Sequence, residues 1–132
     1  MHVTRDIKPE FTDARGGITK ILDDGKTAPK SILLISSKAG TVRANHYHKE
    51  DAHYVYMLSG KMEYFEKPIG ADNAAAESVV LVAGDMVYSP PMIVHAMRFL
   101  ADTTWVVLAM KSRQQEAYEA DTVRVPFIEP TV

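Results

Sequence analysis

Residues 40–60 read GTVRANHYHKEDAHYVYMLSG, and this stretch decides the fold. It carries three of the chain's five histidines, His46, His48 and His53, between Gly40 and Gly60. In a β-strand, side chains at i and i+2 share a face. His46 and His48 therefore present two imidazoles to one side of a strand. Residues 53–59 (HYVYMLS) alternate as a second strand, with His53, Val55 and Met57 on a common face. Ser59-Gly60 then marks a tight turn into a third strand, residues 61–67 (KMEYFEK).

The pattern continues outward in both directions. Strand signals recur at residues 31–37 (SILLISS), 77–83, 86–89, 95–100 and 103–110. Lys38-Ala39-Gly40, Gly84-Asp85, Pro90-Pro91 and Ala101-Asp102 separate them as turns, and residues 70–76 read as a loop tip. Short strands at near-regular spacing predict an all-β sandwich or barrel. A length of 132 residues suits one domain over residues 1–132. One helical stretch is predicted, residues 112–119, with Ser112 as its cap. Residues 126–132 are expected to run extended along the surface or onto a partner subunit.

Composition removes several classes of function. Fifteen Lys and Arg against seventeen Asp and Glu leave a formal charge of −2. That balance argues against electrostatic binding of nucleic acid. No run approaches the ~18 apolar residues of a membrane-spanning helix. The opening residues have no secretory-signal pattern, so the cytoplasm is the expected location. The chain has no cysteine, which excludes disulfides, thiolate metal sites and cysteine nucleophiles.

Any metal must then be held by imidazole and carboxylate. His95, on a later strand with Met97 and Phe99, supplies a fourth imidazole. Four imidazoles converging on one apolar interior are costly unless something satisfies their nitrogens. One divalent transition metal (Zn, Fe, Mn, Ni or Cu) would do so, on His46, His48, His53 and His95. Glu50 and Asp51 precede His53 and are alternatives to it as the third ligand. His2 is assigned no role.

The motifs that carry these histidines resemble a known family. Gly40-x5-His46-x-His48-x4-His53-x6-Gly60 resembles the first cupin motif, and Gly84-x5-Pro90-x-Met92-x2-His95-x3-Phe99 the second. The resemblance implies a single RmlC-like cupin, a double-stranded β-helix (jelly-roll) barrel, with motif one at about 40–60 and motif two at about 84–99. A homodimer is also implied. The chain departs from the pattern at His53, Met92 and Phe99, where the family has Glu, Gly and Asn.

Three shorter strings, residues 11–18 (FTDARGGI), 43–49 (RANHYHK) and 118–122 (YEADT), are similar to nucleotide-sugar epimerase and ketoisomerase cupins. That likeness implies that Arg43 holds a phosphate and His46 is a general base. Ala44 stands where those proteins have glycine.

Three functions follow as expectations. The first is isomerisation or epimerisation of a keto-sugar or related carbonyl substrate, through a stabilised enolate. The second is a non-haem metal dioxygenase. The third is a non-catalytic cupin that binds or senses a small ligand. The expected partner is a small molecule, anionic ones included, rather than nucleic acid or membrane. Tyr54, Tyr56 and Tyr88 are the candidate acids and bases. Arg43, Met57, Met97 and Phe99 are the expected ligand-binding wall. A free acid or base beside the histidines, together with an open cavity, favours an enzyme.

Overall fold

The structure is a computed structural model that describes residues 1–132. Its strands are β1 (His2–Thr4), β2 (Phe11–Asp13), β3 (Gly16–Ile18), β4 (Ser31–Ser37), β5 (Val42–His48), β6 (His53–Ser59) and β7 (Lys61–Pro68). They continue with β8 (Glu77–Val82), β9 (Met86–Ser89), β10 (Ile93–Phe99), β11 (Thr103–Ala109) and β12 (Thr122–Arg124), the last preceded by helix α1 (Gln115–Asp121). Two five-stranded antiparallel sheets face each other. The first runs β1-β9-β6-β11-β4 and the second β12-β5-β10-β7-β8. The chain alternates between them as a jelly roll does. β2 and β3 form a separate hairpin.

Alternation builds the core. Val55, Met57, Val87, Trp105 and Val107 of the first sheet face Met62, Tyr64, Leu81, Met97 and Phe99 of the second. The turn at Gly60 needs glycine for two reasons. Its φ is +91°, and a Cβ there would collide with the carbonyl of Asp102 and with Thr103.

Several boundaries differ from the sequence reading. α1 starts at Gln115 rather than Ser112, because the Gln114 side chain accepts the bond from the Ala117 amide. The Ser112 hydroxyl instead accepts from the Gln114 amide, one step before the helix. β12 was not foreseen, and it closes the edge of the second sheet beside β5.

Residues 126–132 fold back onto their own chain. Asn45 holds Ile128 by both its amide atoms, at 3.0 and 2.9 Å. The Thr131 amide donates to the Gly40 carbonyl. Gly40 has φ +84°, and a Cβ there would collide with Val132. Phe127 joins Phe65, Val94 and Ala96 in a second buried cluster on the outer side of the second sheet. No helix is long and apolar enough to cross a membrane.

Candidate active site: a histidine cluster beneath three arginines

β5 and β10 are neighbours, and their register sets His46 directly opposite His95. His48 follows two residues on along the same face of β5. The three rings pack with centroids 4.6 Å (His46–His48), 4.8 Å (His46–His95) and 5.7 Å (His48–His95) apart. One nitrogen from each of the three lies within 4.8 Å of the others. All three residues are buried. Burial, reinforced by neighbouring imidazoles, pushes His46 down to about 2, His48 to about 4 and His95 to about 3. The three rings are therefore neutral at physiological pH.

His48 is held from outside the cluster. Its Nδ1 lies 3.3 Å from the Thr122 hydroxyl and 3.5 Å from the Asp121 carboxylate. Its Nε2 is buried with no hydrogen-bond partner. An orphaned buried nitrogen beside two further imidazoles is the donor set a borderline divalent cation takes, so these three residues fit a metal.

His53 comes from the facing sheet, with its ring centroid 4.7 Å from His48 and 6.4 Å from His95. Its Nε2 lies 2.9 Å from Asp51 Oδ2. Asp51 is buried, and its other oxygen accepts from the amides of Met110 and Lys111 at 2.9 and 3.0 Å. Burial works to raise the Asp51 carboxyl, but the His53 bond, the nearby imidazoles and the Met110 amide outweigh it and hold it below its ordinary value. Asp51 is thus an ionised partner of His53 whose oxygens are already engaged. Glu50 is exposed and lies 3.9 Å from Lys111, outside the cluster.

A cavity of about 200 Å³ opens beside the rings. His46, His53 and His95 form its base, with Met97, Trp105 and Val107 on the apolar side. Arg43, Arg113 and Arg124 complete its wall together with Tyr118. The Arg113 guanidinium stacks 4.1 Å from the Tyr118 ring centroid. Arg124 pairs with both carboxylate oxygens of Glu119 at 2.9 Å.

The expected site residues divide. Arg43 and Met97 line the cavity. Met57 and Phe99 are wholly buried in the main core and do not reach it. Tyr54, Tyr56 and Tyr88 lie on the outer face of the first sheet, because they alternate with the inward His53, Val55, Met57, Val87 and Ser89. Tyr54 and Tyr88 pack on each other there, 4.9 Å between centroids. Those three tyrosines therefore cannot act on a ligand among the histidines. Tyr118, Arg113 and Arg124 were missed as pocket residues. The one signal near them was the YEADT string at 118–122.

No protein-family model matches the chain, and no curated protein matches it. Solved structures do. A 3,4-ketoisomerase from Helicobacter canadensis superposes with a TM-score of 0.73 at 21% identity, covering 94% of this chain and 91% of that one. QdtA, a sugar 3,4-ketoisomerase from Thermoanaerobacterium thermosaccharolyticum in complex with TDP, gives 0.72 at 19%, over 95% and 89%. The rmlC epimerase of Mycobacterium tuberculosis gives 0.72 at 18%, over 94% and 76%. The fold is that of the RmlC-like cupins. Residues 40–60 run over β5 and β6, and residues 84–99 run from the turn before β9 to the end of β10. At these identities the likeness carries the fold and leaves the chemistry to the site.

Proposed function

We propose that this cupin is an enzyme that isomerises or epimerises a keto-sugar or related carbonyl substrate carrying an anionic group. The observation that carries the reading is one cavity lined by three arginines and by His53, whose Nε2 bonds the Asp51 carboxylate. Isomerisation beside a carbonyl needs a base to take an acidic proton and a group to return it. An ionised Asp51 that accepts from His53 Nε2 leaves the lone pair on His53 Nδ1, and it stabilises the imidazolium formed when that nitrogen takes a proton. His46 lines the same cavity, but a base whose conjugate acid lies near 2 is poorly matched to neutral pH. His53 therefore takes the base role that the family likeness suggested for His46. Arg43, Arg113 and Arg124 hold the anionic group, and the Tyr118 hydroxyl beside them returns the proton. Sugar 3,4-ketoisomerases and epimerases among the structural neighbours support the same substrate class, and one of them holds TDP.

A divalent transition metal is the second part of the reading, and it rests on the unpartnered Nε2 of His48. His46, His48 and His95 would hold the ion, with His53 outside the set. When bound, the ion supplies Lewis-acid polarisation of a substrate oxygen. The remaining expectations, a cytoplasmic location and a homodimer, are kept as proposals of the same reading.

The test is proton exchange in D₂O with a panel of nucleotide-linked keto-sugars, followed by mass spectrometry. Deuterium should enter beside the carbonyl with the parent protein and be lost with His53→Asn. Exchange that survives His53→Asn removes this base. Oxygen consumption with a diketone, in place of exchange, replaces the reading with the oxygenase alternative. Elemental analysis should find about one transition metal per chain, reduced in His48→Ala.

A further inference from the structure

Arg124 differs from the other two arginines of the cavity wall. Its two terminal nitrogens donate in parallel to the two carboxylate oxygens of Glu119, each at 2.9 Å. A guanidinium fork takes that geometry from any group with two oxygens on one central atom. Carboxylate, phosphoryl and sulfate oxyanions therefore compete for one seat. Arg43 and Arg113 take part in none of the chain's ten ion pairs. Two guanidiniums on the wall are thus unpaired, and the third is filled by an anion of the protein itself.

The two halves of that pair are held unequally. Arg124 ends β12, where register sets it opposite His46 on β5. The sheet therefore fixes its backbone beside the cavity. Glu119 stands on α1, a helix with no buried residue. Its Oε1 has a second partner one turn back, the Gln115 side-chain amide at 3.4 Å. The carboxylate thus keeps a hold when it leaves the guanidinium. Both side chains are open to water, Arg124 at 63% and Glu119 at 41%, and an ion pair so exposed is weak. An incoming oxyanion can exchange with it.

Exchange moves the Glu119 carboxylate but does not remove its charge, because the helix keeps it at the cavity mouth. Its repulsion of a ligand grows in proportion to the ligand's own charge. We propose that Glu119 determines which ligand charge the site accepts. It holds the Arg124 seat in the free protein, yields that seat to the ligand's oxyanion, and penalises each further negative charge the ligand brings. The consequence is discrimination against polyanions such as free polyphosphates. The proposal rests on the reading of the arginines as the seat of the substrate's anionic group.

Isothermal titration calorimetry at low ionic strength, with sulfate and methyl sulfate as probes, tests it. Both present paired oxygens to a guanidinium, and they differ by one charge. Both should bind the parent. A unit charge about 4 Å away in a water-like medium changes a binding constant about fivefold. Glu119→Gln should therefore bind methyl sulfate about fivefold tighter and sulfate about 25-fold tighter, with an unchanged circular dichroism spectrum. Glu116→Gln, one turn earlier on the same helix, should leave both affinities as they are. Arg43→Gln should weaken sulfate with or without Glu119. A sulfate affinity that is unchanged or weaker in Glu119→Gln overturns the proposal, because Glu119 would then orient Arg124 rather than compete for it. So do equal gains for the two probes, or the same gains from Glu116→Gln. In each of these cases a sulfate affinity that depends on Arg43 leaves the arginine seat standing. Sulfate that binds no form of the protein, or binds regardless of Arg43, overturns the arginine seat and the proposal together.

Discussion

Met92 holds a backbone conformation that its side chain disfavours. The second motif has glycine there in the family it resembles, and the chain keeps the left-handed backbone, with φ 62°. Ala44, also in place of a glycine, keeps φ 71°. A Cβ in this region costs roughly 1–2 kcal/mol, and glycine's extra freedom in the unfolded chain takes back about half of that. Met92 is 51% exposed, so Met92→Gly loses little packing. Its urea unfolding should show a net gain of about 0.5–1 kcal/mol; a loss would mean that the strain is absorbed elsewhere.

Asp85 answers to pH. Burial works to raise its carboxyl, but bonds from the Val82 and Asp6 amides at 2.9 Å and from Arg5 at 2.8 Å outweigh burial and hold it below its ordinary value. A depressed carboxyl stabilises the fold above the unfolded value of 3.8, and that stabilisation is lost as pH falls through the lower, folded value. Asp85→Asn should cost about 1–3 kcal/mol at neutral pH in chemical denaturation. The gap from the parent should stay level down to about pH 5 and shrink below 3.8.

α1 matters less as a helix than as a clamp. Its last residue, Asp121, accepts the Glu50 amide at 2.8 Å and the Asp51 amide at 3.1 Å, while its own carbonyl accepts from Lys49. The loop that aims Asp51 at His53 is thereby tied to an element seventy residues away. Asp121→Ala should lower thermal stability, by about 1–3 kcal/mol, and reduce turnover of the keto-sugar panel by more than that loss explains. Glu116→Ala, on the exposed side of the same helix, should change neither. This element also marks the limit of reading the sequence. The period-two pattern located β5, β6 and β10, and the spacing of His46, His48 and His95 brought them to one interior. The same alternation that turns His53 inward turns Tyr54 and Tyr56 outward, so their exclusion was already legible. The capture of Asp51 by Met110 and Lys111 was not, because those contacts cross some sixty residues and local spacing carries no trace of them. The return of Arg113, Tyr118 and Arg124 over the cavity depends on β12 pairing with β5, which three residues cannot announce.

Across the whole molecule, the C-terminal segment supplies the outer cover of the second sheet. Ending the chain after Val125 removes Phe127 from its place against Phe65, Val94 and Ala96. Loss of one buried phenylalanine predicts about 2–3 kcal/mol of destabilisation in urea, with new binding of a hydrophobic dye. Recovery of full stability would show that the segment only rests on the sheet. The jelly-roll order was implied by the two motifs, whereas this cover was open between two surfaces until Asn45 was seen to grip Ile128.

The arginine rim makes buffer composition part of the protein's behaviour. Arg43, Arg113 and Arg124, offset by the single carboxylate of Glu119, leave two net positive charges at the mouth of one cavity. Inorganic phosphate and sulfate are small anions of the kind such a mouth attracts, so under the proposed function they should compete with an anionic substrate. Association with that substrate slows as ionic strength rises and the field is screened. A ligand screen run in phosphate-buffered saline would meet a cavity already occupied, whereas the same screen in dilute zwitterionic buffer would meet it empty.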